Sequence, residues 1–380
     1  MSKFLNKLKK TSKNKYLFIA SEENNVYSNQ KTTSTGCYVL NALISSDINM
    51  GIEDGKRYLF AGEEAVGKSF LCMSIVKNYL LEHKNAIAVC LESEGSSILR
   101  MCKTFDIDLS RVLIVPVRTV EETRTEVLGF LKDLKEANEG KEESERQKMI
   151  ILIDSIGNLS TNKELEDIES GSDTRDMTRT QLLKGFGRAT SLELSICNVP
   201  MLMVTHVYDS MDRYSPVVVS GGSGIKYISD FICVLTKGKE KDGKTQTGVI
   251  VKATVRKSRY TTEGISAKIL ISFKHGLYPY SSLVELAQEY GAFQKEGISY
   301  ILPDGTKEKM KTVREKFKNF VNETNMNAIN ECIINRFTFG KDIQETDFED
   351  IENEIEEIED SSDDWSKYFI HSFFRYERCY

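Results

Sequence analysis

The run Gly62-Glu63-Glu64-Ala65-Val66-Gly67-Lys68-Ser69 constrains this chain more than any other feature. Its two glycines let a loop curl so that backbone N–H groups converge on one point. The lysine and hydroxyl at its end add a point charge and a metal ligand. The run directly follows a strand-like apolar segment, Arg57-Tyr58-Leu59-Phe60-Ala61, and precedes a helix-like one that begins at Phe70. Strand, glycine-rich loop and helix N-terminus in that order form a cradle for a phosphate group. Residues 62–70 are therefore expected to bind the phosphates of ATP. In that reading Lys68 reaches the β- and γ-phosphates and the Ser69 hydroxyl ligates Mg²⁺.

Further apolar runs of strand length follow: Ala86–Leu91, Met149–Ile153, Pro200–Val204 and Phe231–Leu235. Helical patterns near 68–82, 120–138 and 176–196 separate the first four strands. Near-continuous apolar strands alternating with helices predict an α/β fold, with a mainly parallel sheet covered on both faces. A turn at Lys241-Asp242-Gly243-Lys244 and strands at Val249–Val255 and Ala267–Phe273 predict an antiparallel extension, followed by a helix at Ser281–Tyr290. Residues 1–35 are expected to be a small N-terminal segment (basic helix, short strand near Phe18-Ile19-Ala20, polar linker from Ser21 to Gly36). A core over 36–292 follows. Residues 293–340 predict a small C-terminal appendage with a hairpin around Pro303-Asp304-Gly305 and a helix from Lys307 to Val321, and 341–380 an acidic tail with an aromatic tip.

Three strand ends carry candidate chemistry. The Met149–Ile153 strand ends in Asp154, which can hold the Mg²⁺ shell. The Ala86–Leu91 strand runs into Glu92-Ser93-Glu94, either of whose carboxylates can orient water. The fourth strand ends Val204-Thr205-His206. Parallel strands end at one sheet edge, so these groups should gather beside the phosphate loop.

The charge distribution narrows the partner class. Formal net charge is −6, yet Asp342 to Asp364 holds thirteen carboxylates and no Lys or Arg, leaving +7 on the rest. A mildly basic body with an acidic tail is compatible with nucleic-acid binding, the tail competing for the same surface. The eight cysteines are scattered, with no C-x-x-C pair, and the four histidines are far apart. Both observations argue for buried thiols in a reducing compartment rather than a disulfide frame or zinc site. No run of eighteen apolar residues or secretory h-region occurs, so neither a membrane span nor a signal peptide is expected, and a cytoplasmic location is.

The ordered set of phrases Ile153-Asp154-Ser155-Ile156-Gly157-Asn158-Leu159, Asp176-Met177-Thr178-Arg179, Asn198-Val199-Pro200, His206-Val207-Tyr208, Gly221-Gly222-Ser223-Gly224 and Lys257-Ser258-Arg259 resembles the RecA-type recombinases, the phage members most closely. The likeness spans roughly residues 36 to 292. It implies a RecA-like ATPase core in which Glu94 is the water-activating glutamate, His206 senses the γ-phosphate, and Lys257 and Arg259 reach the ATP of a neighbouring subunit. Their one-residue spacing on a strand would set both side chains on one face. Two DNA-binding loops are implied, near Thr161–Arg175 and Tyr208–Gly222, with Arg175, Arg179, Arg213, Tyr214, Gly221 and Gly222 as contacts. Met101 stands where the family places an aromatic residue against adenine, and Phe18-Ile19-Ala20 where a docking strand would lie.

The implied activity is DNA-dependent ATP hydrolysis coupled to strand exchange. The implied partners are single- and double-stranded DNA, further copies of the chain in a helical filament, and single-strand-binding and mediator proteins. Two other classes fit the same core: a RecA-fold hexameric helicase, and a non-hydrolysing paralogue acting as mediator.

Overall fold

Two-residue alternation with both faces apolar governs the core, as the sequence predicts. The computed structural model describes residues 3–14, 16–22, 30–95, 97–171, 178–209, 217–220, 222–237, 248–273 and 276–338. Among them a ten-stranded sheet comprises β1 (Arg57–Gly62), β2 (Ala86–Glu92), β3 (Val112–Pro116), β4 (Lys148–Asp154), β5 (Met201–Asp209), β6 (Val217–Val219), β7 (Phe231–Lys237), β8 (Gly248–Lys257), β9 (Ser266–Ser272) and β10 (Gly276–Leu277). The order across it is β10-β9-β8-β7-β1-β5-β4-β2-β3, with β6 on β5. The six strands from β7 to β3 are mutually parallel, and β8, β9 and β10 extend them antiparallel.

Helices α1 (Lys68–Glu82), α2 (Ser97–Thr104), α3 (Val120–Ala137), α4 (Asn162–Glu169), α5 (Arg179–Cys197) and α6 (Gly222–Ile228) lie between strands. Tyr58, Phe60, Cys90, Leu152 and Val204 face one apolar layer. Their neighbours Leu59, Ala61, Leu91, Ile153 and Met203 face the other. Each layer removes one face of the sheet from water, the main favourable term in such a fold. The cysteines at 37, 72, 90, 102 and 233 are buried free thiols in this core. No described helix is long and apolar enough to cross a membrane.

Several expectations need correction. β3 was not anticipated: it is short, half-exposed and ends at Pro116, as an edge strand does. The polar stretch before residue 37 is not all linker. Thr32–Thr33 pairs antiparallel with Ile52–Glu53, and buried Thr35 shares two hydrogen bonds with Asn41. Phe18-Ile19-Ala20 is irregular rather than a strand. In the C-terminal part, Lys307–Lys309 is the third strand of a small antiparallel sheet with Gln294–Glu296 and Ser299–Ile301. The helix expected from Lys307 therefore starts only at Met310 and stops at Glu315. A longer helix, Glu323–Phe337, follows. Phe293, Tyr300, Phe317 and Ile333 from this part join the layer that covers α1. Residues 1–337 form one compact unit and 338–380 a second. The Lys241–Lys244 turn and the acidic tail lie outside the described residues.

Asp54 marks a tension at the sheet's opposite edge. It is 1% exposed; Oδ2 accepts from Lys31 N at 3.3 Å and faces Lys148 Nζ at 3.7 Å, while Oδ1 has no partner. Burial pushes its carboxyl up to about 6, against the pull of Lys148. A carboxyl raised in the folded state binds more protons folded than unfolded between about pH 4 and pH 6, so it costs stability as pH rises through that window. Asp54→Asn removes this slope. In urea melts the unfolding free energy of the variant should gain on wild type by about 1–2 kcal/mol between pH 5 and pH 8.

Candidate active site

The parallel register assembles the site. Gly62 at the end of β1 lies opposite His206 on β5, and Glu92 at the end of β2 lies opposite Asp154 on β4. The loop from Gly62 to Gly67 leaves β1 and enters α1, whose first residue is Lys68. Gly62 cannot carry a side chain, because a Cβ would sit 2.6 Å from the Leu235 carbonyl of β7. Gly67 holds a φ of +95°.

Lys68 is nearly buried. Its Nζ donates to the carbonyls of Gly62 (3.0 Å) and Glu63 (2.6 Å) and lies 3.5 Å from His206 Nδ1. Burial pulls its pKa down, opposed by Glu94 and Asp154. His206 Nε2 in turn lies 3.2 Å from Glu94 Oε1, which also accepts from Asn158 Nδ2 at 2.7 Å. The lysine, histidine and glutamate expected around a phosphate thus form one connected chain.

Asp154 is 2% exposed, and neither carboxylate oxygen has a partner at full hydrogen-bond geometry. Burial raises its carboxyl to about 6, with Glu94 and Glu92 adding to the rise and the Ser69 hydroxyl and Lys68 moderating it. An unpaired buried carboxylate beside a serine hydroxyl is the donor set a hard divalent cation takes, so Ser69 and Asp154 fit Mg²⁺.

The structure separates the two glutamates that the sequence left open. Glu92 Oε1 accepts from Ser97 N (2.7 Å), Ser97 Oγ (3.2 Å) and Ile98 N (3.2 Å), and so satisfies the first turn of α2. Glu94, on the loop beyond, keeps its carboxylate at the mouth of the cleft.

The cleft, about 1060 Å³, is large enough for a nucleotide. Met101 of α2, 5% exposed, lines it together with Phe70. Lining residues that the sequence reading does not include among its site candidates are Arg100, Asn158 and Phe273, along with Gly95, Ser97, Thr104 and Val204. Phe273 follows β9 and packs edge-to-face on Phe70 at 5.8 Å, giving the cleft an aromatic wall that Met101 lacks. Its signal was an aromatic residue closing an otherwise alternating strand.

The remaining candidates fall elsewhere. Lys257 Nζ donates to the carbonyls of Lys226 (2.8 Å) and Ser229 (2.7 Å) at the end of α6. Arg259 pairs with Asp230 at 3.2 Å, beside the buried Arg57–Asp230 pair. β8 is bulged between Val255 and Lys257 and ends there, so Arg259 lies beyond it and the one-face argument fails. Neither residue lines its own chain's cleft.

Within the first expected loop the described residues 161–171 are largely helix α4, opened by a capping box of Thr161 and Glu164. The second begins and ends as a ladder, Val207–Asp209 of β5 against β6. Ser220 N donates to His206 O at 2.9 Å, which ties this ladder to the histidine. Arg179 opens α5 and its guanidinium donates to the Gly157 carbonyl. Gly222 opens α6. Arg175, Arg213, Tyr214 and Gly221 lie outside the described residues.

Glu92→Ala should lower stability by about 1–2 kcal/mol in urea melts, through loss of the α2 contacts. Glu94→Ala, at a half-exposed site, should stay within about 0.5 kcal/mol of wild type.

No family model matches the chain. A recombination and repair protein of enterobacteria phage T4 is 28% identical over 253 residues, 67% of this chain and 62% of that protein's length. The RecA proteins of Chlorobaculum tepidum and of Ureaplasma parvum are 25% and 22% identical, over 76% and 72% of this chain and 79% and 78% of their own lengths.

Proposed function

We propose that this chain, which resembles the RecA-type recombinases and their phage T4 relative, is an ATP-dependent DNA recombinase that forms filaments on single-stranded DNA and catalyses homologous pairing and strand exchange in recombination and repair. The observation that carries this reading is the convergence of Lys68, Ser69, Asp154, Glu94 and His206 at one sheet edge, with His206 on the strand that continues into the β5–β6 ladder.

In this reading Lys68 and the amides of residues 62–70 bind the phosphates of ATP, and Ser69 and Asp154 hold Mg²⁺, which neutralises phosphate charge when bound. Glu94 orients the attacking water and His206 contacts the γ-phosphate. Lys257 and Arg259 serve a neighbouring subunit's ATP, in keeping with their position off their own cleft. Arg179, Gly222 and, beyond the described residues, Arg175, Arg213, Tyr214 and Gly221 contact DNA, the basic and aromatic side chains by charge and base stacking. The partners are single- and double-stranded DNA, other copies of the chain, and single-strand-binding and mediator proteins in the host cytoplasm.

Hydrolysis of ATP by wild type should rise at least about tenfold with single-stranded DNA, and Lys68→Ala should lose about a hundredfold or more in the same phosphate-release assay. Absence of DNA stimulation in wild type would sink the reading. Truncation before Asp342 should tighten single-stranded DNA binding at low salt, the gain shrinking as salt rises in a fluorescence-anisotropy titration.

A further inference from the structure

We propose that Asn158 is the positioning residue for Glu94 in ATP hydrolysis, a role that rests on the reading of Glu94 as the group that orients water. Its amide donates to Glu94 Oε1 at 2.7 Å, closer than the 3.2 Å between His206 Nε2 and the same oxygen. The two contacts differ in what they depend on. Lys68 Nζ has only protons to offer, so His206 Nδ1 facing it accepts, and Nε2 carries the proton directed at Glu94. Lys68 and His206 are the groups that a γ-phosphate engages. A bound nucleotide therefore draws on both and leaves the Asn158 amide as the contact that still fixes the carboxylate. With one oxygen held, the other is free to accept from water in a set direction.

The backbone around Asn158 is built to keep this distance constant. Ser93, one residue before Glu94, and Ser155, three before Asn158, bond each other reciprocally. Ser155 N donates to Ser93 Oγ at 3.0 Å, and Ser93 Oγ donates to Ser155 O at 2.9 Å. Asn158 N donates to Ser155 O at 3.2 Å, closing the turn. Gly157 lies so close to β5 that a Cβ would sit 2.5 Å from Thr205 Oγ1, next to His206. The Gly157 carbonyl accepts from the guanidinium of Arg179, at the start of α5. Turn, glutamate loop and histidine strand are thus locked to one another, and the Asn158 amide projects from that frame onto Glu94.

The test is steady-state ATP hydrolysis with saturating single-stranded DNA. Asn158→Ala should lower kcat at least about tenfold with KM for ATP within about twofold. Asn158→Asp, of the same shape but without the donor and with a like charge beside Glu94, should lose at least as much. In a Glu94→Gln background, Asn158→Ala should leave the residual rate unchanged, because the group it positions is gone. Thermal melts should match wild type, as Asn158 is exposed. Full kcat in Asn158→Ala, a loss confined to KM, or the same fold-loss in both backgrounds would each overturn the proposal. A wild-type chain that does not hydrolyse ATP, or a Glu94→Gln variant at full rate, overturns the assignment of Glu94 itself, and is read in different proteins from the Asn158 result.

Discussion

The register of the parallel strands is the constraint on which the rest of this structure depends. Gly62, His206, Asp154 and Glu92 come from segments 30 or more residues apart, and they share one edge only because β1, β5, β4 and β2 run the same way and pair in one register. The core enforces that register. Alternate residues of every central strand enter opposite apolar layers, so a slip of one residue would exchange the two sets and reverse each strand's fit. Packing energy distributed over the sheet thereby fixes distances of a few ångströms at its edge. The glycines then matter locally: Gly62 lets the loop pass the Leu235 carbonyl, and without that close approach Lys68 would not meet His206.

What the sequence made legible follows from this division. Central strands are continuous apolar runs because both faces are buried, so five of them and the helices at 68–82 and 120–137 could be located, and the groups at their ends with them. The edge strand Val112–Pro116 was not legible, since half-exposure blurs its pattern. Glu92 and Glu94 could not be told apart by residue type; what separates them is the first turn of α2, whose N–H groups claim Glu92. Thr161-x-x-Glu164 was a helix-start signal within the segment read as a loop. Asn158 was visible only as part of a matching phrase, because its contact with Glu94 crosses 64 residues and leaves no local pattern.

The site is satisfied unevenly, and the unevenness is informative. Lys68, His206 and Glu94 find partners in each other and in the loop's own carbonyls. Asp154 finds none at full geometry, and its burial holds its carboxyl at about 6. A buried carboxylate in that state costs stability and is a poor device for holding a fold together. Its retention beside Ser69 makes sense as a place where a cation restores the balance, the usual trade between stability and an active site.

The same geometry gives a route from phosphate to loop. His206 sits at the point where β5 leaves the body of the sheet, and its carbonyl accepts from Ser220 while Val207 pairs with Val219. Thr205, one residue earlier, bonds the Ser220 carbonyl and presses on Gly157. A change in what His206 contacts is therefore felt on two sides. One is the ladder of Val207–Asp209 on Val217–Val219; the other is the turn that carries Asn158 and, through Arg179, the start of α5. The Gly157–Asn158 turn, the start of α5 and the β5–β6 ladder thus all contact the strand end that carries His206. If the proposed DNA-binding role holds, a coupling between nucleotide and DNA needs no long relay, only two arrangements of the side chains within two residues of His206.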